Sequence, residues 1–189
     1  MKRELTLPDI AGYLPYGLKL LDRKRGMTTV WEWQSAACCD WNGEEKVEMI
    51  SGEKYSEELV MASPILRPMS ELTKEITHRG ETFVPMVEIG KLLGYDNLKK
   101  YEIDGVVEYG FETRYADDAQ GYIFGWHQAS QSFGVWYDEI DGDSPSVERM
   151  VMNTYTFDKL AEWMFDYRGL IPAGLAVDVN TLPENPYEV

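Results

Sequence analysis

Ten aromatic residues lie between Tyr101 and Tyr137, and most of them recur at every second position. Tyr101, Ile103, Val107, Tyr109, Phe111, Thr113 and Tyr115 alternate with Glu102, Asp104, Glu108, Glu112 and Arg114. Tyr122, Phe124 and Trp126 alternate again, and so do Phe133, Val135 and Tyr137. A period of two sends apolar side chains to one side of an extended chain and polar ones to the other, so the stretch predicts strands with one wet face. Gln128-Ala129-Ser130-Gln131 reads as a connection, which makes the whole an antiparallel meander with an acidic outer surface. That acidity is local. Residues 101–148 hold eleven Asp and Glu but only one basic residue, Arg114.

Helical spacing surrounds this stretch. Thr6 can cap a short helix that carries Pro8 in its first turn and is stopped by Pro15 and Gly17, with Ile10, Tyr13 and Leu14 on one side. Leu18–Asp22 and Met27–Trp33 flank Arg23-Lys24-Arg25-Gly26 as the arms of a hairpin. A further strand is expected near Lys46–Ile50, after a Trp41-Asn42-Gly43 turn, so that the beginning of the chain forms a small curled sheet or barrel. Pro64 and Pro68 bracket Ile65-Leu66-Arg67, and Glu71–Ile76 reads as a short helix or helical turn. Pro85 opens a second helix with Met86, Ile89 and Leu93 at helical spacing and Gly94 as its stop. An amphipathic helix over residues 156–169 turns Phe157, Leu160, Ala161 and Met164 inward, ends at Gly169 and packs on the meander. Pro183 and Pro186 mark a loosely held tail.

These readings predict an α+β protein. Residues 1–76 form a small β-rich N-terminal part, followed by a short helical connector. Residues 77–182 form an antiparallel β-meander packed by the C-terminal amphipathic helix, and 183–189 are tail, with a single domain throughout as the alternative. The chain has 189 residues, of which 44% are hydrophobic, enough to bury a core and to set aside both disorder and a disulfide-stapled miniprotein.

Eighteen Lys and Arg against 33 Asp and Glu give a net charge of −15, which opposes direct nucleic-acid binding and docking on anionic lipid. The charge is uneven: residues 1–95 carry 12 basic and 15 acidic groups, residues 96–189 carry 6 and 18. Glu4, Pro8 and Asp9 interrupt the first residues before an apolar signal segment forms, so no secretion is implied. Cys38 and Cys39 are adjacent and would close a strained ring if oxidised. Free thiols in a reducing cytoplasm fit them, and cytoplasmic localisation is the expectation.

Few residues ask for chemistry. The Asp138-Glu139-Ile140-Asp141-Gly142-Asp143 run lacks the alternate carboxylates and closing Glu of a calcium loop and reads as a solvated acidic turn. His78 and His127 stand far from the cysteines with no ligand-like spacing, so no metal and no cofactor is implied. His127, near a strand end, reads as a surface or rim residue. Candidate binding residues are Asp117, Asp118, Trp126, Trp136, Asp138, Glu139, Asp141 and Asp143, an acidic aromatic face able to meet another protein, while strand packing accounts for alternating aromatics as core. Dense carboxylates can also imitate a nucleic-acid phosphate array and occupy a basic groove on a partner.

Four segments carry a resemblance: Leu14-Pro15-Tyr16-Gly17-Leu18-Lys19; Pro64 through Ile76; Glu162-Trp163-Met164-Phe165-Asp166; and Gly169-Leu170-Ile171 running into Gly174 through Asn180. Together they resemble a family of uncharacterised phage and prophage-associated proteins of gut Bacteroidales. The likeness covers residues 1–76 and 156–180 and leaves the acidic middle unmatched; family members tend to carry His at the place of Met164. The resemblance implies an accessory protein of a mobile element and carries over no functional residue. The expected function is therefore a noncatalytic protein-binding module, its partner a host or phage protein, with no direct nucleic-acid contact and no membrane. A small carboxylate-dependent hydrolase or nucleotide-processing enzyme is the alternative.

Overall fold

Residues 3–22, 29–32, 62–103, 105–115, 118–127, 130, 132–137, 146–151 and 154–188 are described by a computed structural model of the chain. They divide into two units, Met1–Met69 with Asp158–Val189, and Ser70–Phe157. Both helices and sheets of mainly antiparallel strands are present, an α+β fold. The expected strand near Lys46–Ile50, its preceding turn, and Cys38 and Cys39 lie outside the described residues.

In the first unit, α1 (Leu7–Ile10) starts at Thr6, with Pro8 in the first turn where its missing N–H deprives no carbonyl. The Asp9 carboxylate accepts from the Thr6 backbone N–H at 2.9 Å and from its hydroxyl at 2.7 Å, and it pairs with Arg3. Burial alone would raise the Asp9 carboxyl, but the Thr6 hydrogen bonds and Arg3 outweigh it and hold it below the ordinary 3.8. A lowered folded-state value means that Asp9 stabilises the fold above that pH and that the contribution is lost as pH falls through the lower value. Asp9→Asn should thus unfold at lower urea than the parent chain at neutral pH, with the two midpoints converging in acid. Equal midpoints at neutral pH would refute this account.

A 3-10 turn, Leu14–Tyr16, follows and ends at Gly17, whose φ of 79° suits glycine. The hairpin forms as the sequence predicts: β1 (Lys19–Asp22) pairs antiparallel with β2 (Thr29–Glu32). Its other neighbours come from far along the chain. β3 (Ala62–Leu66) pairs antiparallel with β1, and β11 (Val177–Asp178) runs parallel beside β3, giving the order β11-β3-β1-β2. The sheet is completed by the C-terminal segment.

Two expectations change here. Helix α3 (Thr154–Glu162) ends well before Gly169. Met164 takes a φ of 61°, and Phe165 forms a parallel bridge to Arg67: the Arg67 N–H donates to the Met164 carbonyl at 2.6 Å and the Asp166 N–H to the Arg67 carbonyl at 2.8 Å. A strand-like contact thus replaces another helical turn; of the residues expected to face inward, Leu160 and Ala161 are buried in the helix, Phe157 is half-buried, and Met164 is buried beyond the helix's end. The tail is likewise held. Tyr187 is buried; its hydroxyl accepts from the Lys19 N–H at 2.9 Å and donates to the Ile65 carbonyl at 2.8 Å. Lys19 and Ile65 are the residues beyond Leu20↔Pro64, where the β1–β3 ladder stops, so the phenol continues that ladder.

Asp166, also buried, closes the turn after the bridge by accepting from the Leu170 and Ile171 N–H groups at 2.7 Å each. Tyr13 packs 5.3 Å from Tyr167, ring to ring, and donates to the Phe165 carbonyl at 2.9 Å. Burial, with Tyr167 and Asp166 adding to it, pushes its phenol well above the ordinary 10.0.

The short helix or helical turn expected over Glu71–Ile76 gives way to a 3-10 turn at Met69–Glu71, and in the second unit Ile76 belongs to a strand. β4 (Ile76–His78) and β5 (Glu81–Phe83) form a hairpin across Arg79 and Gly80, whose φ values of 51° and 77° match the right-handed twist of the arms. Helix α2 (Pro85–Leu92) stands where Pro85 and Gly94 place it, with Met86 and Ile89 buried.

The meander follows in chain order: β6 (Lys99–Ile103), β7 (Val106–Tyr115), β8 (Asp118–His127), β9 (Ser132–Tyr137) and β10 (Ser146–Val151) form one five-stranded antiparallel sheet. Tyr122↔Tyr137, Phe124↔Val135 and Trp126↔Phe133 pair directly, which puts the alternating aromatics of β8 and β9 on one face. The run from Tyr101 to Tyr115 is not one strand. It reverses between Ile103 and Val106, with Gly105 at a φ of 79°, and Tyr101 pairs with Glu108 while Lys100 pairs with Tyr109. Tyr101 and Ile103 therefore lie on the face opposite Tyr109 and Phe111.

Candidate functional site

The aromatic face is the core of the second unit. Phe124 and Phe133 are 1% exposed and stack at 5.8 Å, and Tyr109 is buried beside them. Tyr95, just past α2, stacks on Phe111 at 5.2 Å, and Phe111 stacks on Tyr122 at 5.3 Å. Burial pushes the Tyr109 phenol above its ordinary value. Trp126, half-buried, sits edge-on to Phe133 at 5.1 Å and to Phe157 of α3 at 6.3 Å. Its ring is engaged in packing, as the strand-packing reading of the aromatics has it, and the first turn of α3 meets the sheet through Phe157.

Of the other candidate residues, Asp118 begins β8 opposite Tyr115, and Trp136 lies in β9 opposite Ile123 and Val147. Asp117, Asp138, Glu139, Asp141 and Asp143 lie outside the described residues. The strand residues that flank them are paired. Tyr115 pairs with Asp118 at the end of the β7–β8 hairpin, and Tyr137 pairs with Ser146 where β9 gives way to β10. Because β8 and β9 are antiparallel with Tyr122 opposite Tyr137, both anchor pairs fall toward the same end of the sheet. Tyr115, Asp118, Tyr137 and Ser146, the described residues that flank 116–117 and 138–145, thus share one end of the sheet.

The opposite end carries a constellation that sequence spacing did not single out. His127, the last residue of β8, and Ser130 are exposed, while Ser132, the first residue of β9, is 1% exposed. His127 Nδ1 lies 2.7 Å from Ser130 Oγ and accepts from the Ser130 backbone N–H at 3.3 Å. Ser130 Oγ lies 2.7 Å from Ser132 Oγ and 3.5 Å from the His127 carbonyl oxygen. A backbone N–H can only donate, so Nδ1 is the bare nitrogen and the ring proton belongs on Nε2. Ser130 Oγ has one proton to donate and three acceptors within reach, His127 Nδ1, the His127 carbonyl oxygen and Ser132 Oγ, so the group forms a local hydrogen-bonded turn. The signal in the sequence was a histidine at a strand end followed by serines three and five positions on, a spacing that a short hairpin connection folds together.

Among the described residues no group of three or more His, Cys, Asp or Glu is placed to hold a metal ion, and no helix is long and apolar enough to cross a membrane. Comparison of the chain with protein-family models, with curated proteins and with solved structures gave no match.

Proposed function

We propose that this chain is a noncatalytic accessory protein of a phage or prophage that binds a host or phage protein through acidic residues at one end of its five-stranded sheet. The observation that carries the reading is the register: Tyr115–Asp118 and Tyr137–Ser146 anchor the connections bearing Asp117, Asp138, Glu139, Asp141 and Asp143 toward a common end. The packing of Trp126, Phe124 and Phe133 into the core supports carboxylates, not aromatic rings, as the groups a partner would meet. The mobile-element context rests on the resemblance of residues 1–76 and 156–180. A partner of complementary chemistry presents a basic groove, and one that normally holds nucleic acid would make this a case of mimicry, with association speeded by the −15 net charge.

Affinity capture from nuclease-treated host lysate tests the reading, using the parent chain and a variant in which Asp117, Asp118, Asp138, Asp141 and Asp143 become Asn and Glu139 becomes Gln. A basic protein should be retained by the parent at low salt, released as salt rises, and not retained by the variant. Retention by the variant equal to that of the parent would refute the assignment of binding to these carboxylates.

A further inference from the structure

We infer that β6 is a docking edge for a second copy of this chain: two β6 strands pair antiparallel about a twofold axis at Tyr101 and join two sheets into one. The inference goes beyond the binding reading and uses none of its carboxylates.

The direction of the backbone groups carries the first half of the argument. β6 ends the strand order β10-β9-β8-β7-β6, so among the described strands only β7 pairs with it. Ile103 and Val106 are directly opposed across the two-residue reversal that includes Gly105, and a turn of that length closes on a hydrogen-bonded pair. Bonded and non-bonded pairs alternate along an antiparallel ladder, so Tyr101↔Glu108 and Lys99↔Gly110 are bonded while Glu102↔Val107 and Lys100↔Tyr109 are not. The Tyr115↔Asp118 reversal gives β7 the same parity, its odd-numbered residues serving β8 and its even-numbered ones β6. The N–H and C=O groups of Lys100 and Glu102 therefore point away from β7, along the outer edge. Both residues are exposed, and Tyr101 between them is half-buried with its ring against Gly110.

Charge supplies the register. With the axis at Tyr101, Lys100 of each copy stands opposite Glu102 of the other, where the two exchange backbone bonds, and the Tyr101 residues face each other as the close, non-bonded pair. With the axis at Lys99, Lys100 or Glu102, like charges are directly opposed, and at Ile103 Glu102 meets Asp104. A slip that pairs an even-numbered with an odd-numbered residue sets Lys100 or Glu102 opposite groups that already serve β7. The strand is thus self-complementary in one register, the condition that a twofold interface imposes. Val106, 57% exposed and opposite Ile103, adds apolar surface on the Tyr101 face. The net charge of −15 on each copy opposes approach, so association belongs at ionic strengths that screen it.

Sedimentation equilibrium of the full chain at about 0.15 M salt, where the screening length is about 8 Å, tests the inference. The parent should pass from monomer toward dimer as its concentration rises. Lys100→Glu opposes acids at both positions and Glu102→Lys opposes bases. Each should weaken the dimer at least about tenfold while keeping the parent melting temperature. Glu102→Lys also makes the chain less negative, which would strengthen a nonspecific association, so its loss of dimer is diagnostic. The two single variants should associate when mixed, and the chain carrying both exchanges should regain the parent dimer. A parent that stays monomeric at every concentration, a dimer that keeps its strength in either single variant, single variants that stay apart on mixing, or a doubly exchanged chain that stays monomeric overturns the inference.

Discussion

Gly110→Ala should destabilise the second unit by about 3 kcal/mol, the upper part of the range for forcing an added methyl into a packed site. In a chain of this size that corresponds to a fall in melting temperature of roughly 9 °C. Gly110 lies in β7 between β6 and β8, opposite Ile123 and Lys99. A Cβ there would stand 2.3 Å from the carbonyl oxygen of Tyr122 and 3.3 Å from Cε2 of Tyr101. The ring could give way, but the carbonyl is backbone in the adjacent strand, so relief requires the β7–β8 ladder to shift. Gly121 supplies the control. It lies in the same sheet opposite Glu112, and a Cβ there meets nothing within 4 Å. Gly121→Ala should change stability by no more than about 0.5 kcal/mol, and its lower unfolded-state entropy tends toward stabilisation. Thermal melts of the two variants side by side decide the matter. Equal melting temperatures would mean that the close approach at Gly110 does not limit the sheet.

The second large effect is expected at Asp166, where one buried carboxylate serves two backbone donors, the N–H groups of Leu170 and Ile171. Removing it in Asp166→Ala strands both and should cost about 2–3 kcal/mol at neutral pH, since a donor left unsatisfied by deletion of its partner loses the full desolvation of that group. The pH dependence has the opposite sense to that of Asp9. Burial pushes the Asp166 carboxyl above 3.8, and the backbone hydrogen bonds only partly offset it. A raised carboxyl value means that the folded state holds the proton more tightly than the unfolded one, so the Asp166 contribution is greatest below 3.8 and declines as pH rises through the folded value. The gap between parent and Asp166→Ala should therefore be wider near pH 3 than near pH 7, measured by urea denaturation at both. A gap that widens toward neutrality would show that the hydrogen bonds outweigh burial.

Both sites explain why parts of the fold were legible in the sequence and others were hidden. The alternation of Tyr122, Phe124 and Trp126 with Phe133 and Val135 survives as one packed face, because strand periodicity is a local property and a core needs its apolar groups on one side. The reversal at Gly105 was hidden in the same pattern. Across a two-residue turn directly paired residues change parity, so an unbroken odd-numbered apolar run sends Tyr101 and Tyr109 to opposite faces. Tyr101 is not misplaced there: its ring lies against Gly110, covering backbone that a glycine leaves bare. The spacing of the histidine and serines at the β8–β9 connection was visible, but the His127–Ser130 and Ser130–Ser132 contacts needed the two strands to be paired.

Local signals were enough to place the ends of α2, through Pro85 and Gly94, to show which residues of the meander alternate, and to show that the acidic charge collects between residues 101 and 148. The inward face of the last helix was legible as well, since Leu160 and Ala161 are buried as helical spacing requires. Where that helix stops was settled by a distant contact, because the bridge from Phe165 to Arg67 satisfies backbone groups that a further helical turn would otherwise have paired. Tertiary structure likewise decided that the tail is held, through a Tyr187 hydroxyl serving Lys19 and Ile65, and that Val177 and Asp178 complete a sheet begun at Lys19. Periodicity reports what neighbouring residues prefer. Which distant backbone donor and acceptor remain to be matched is known only once the intervening chain has folded.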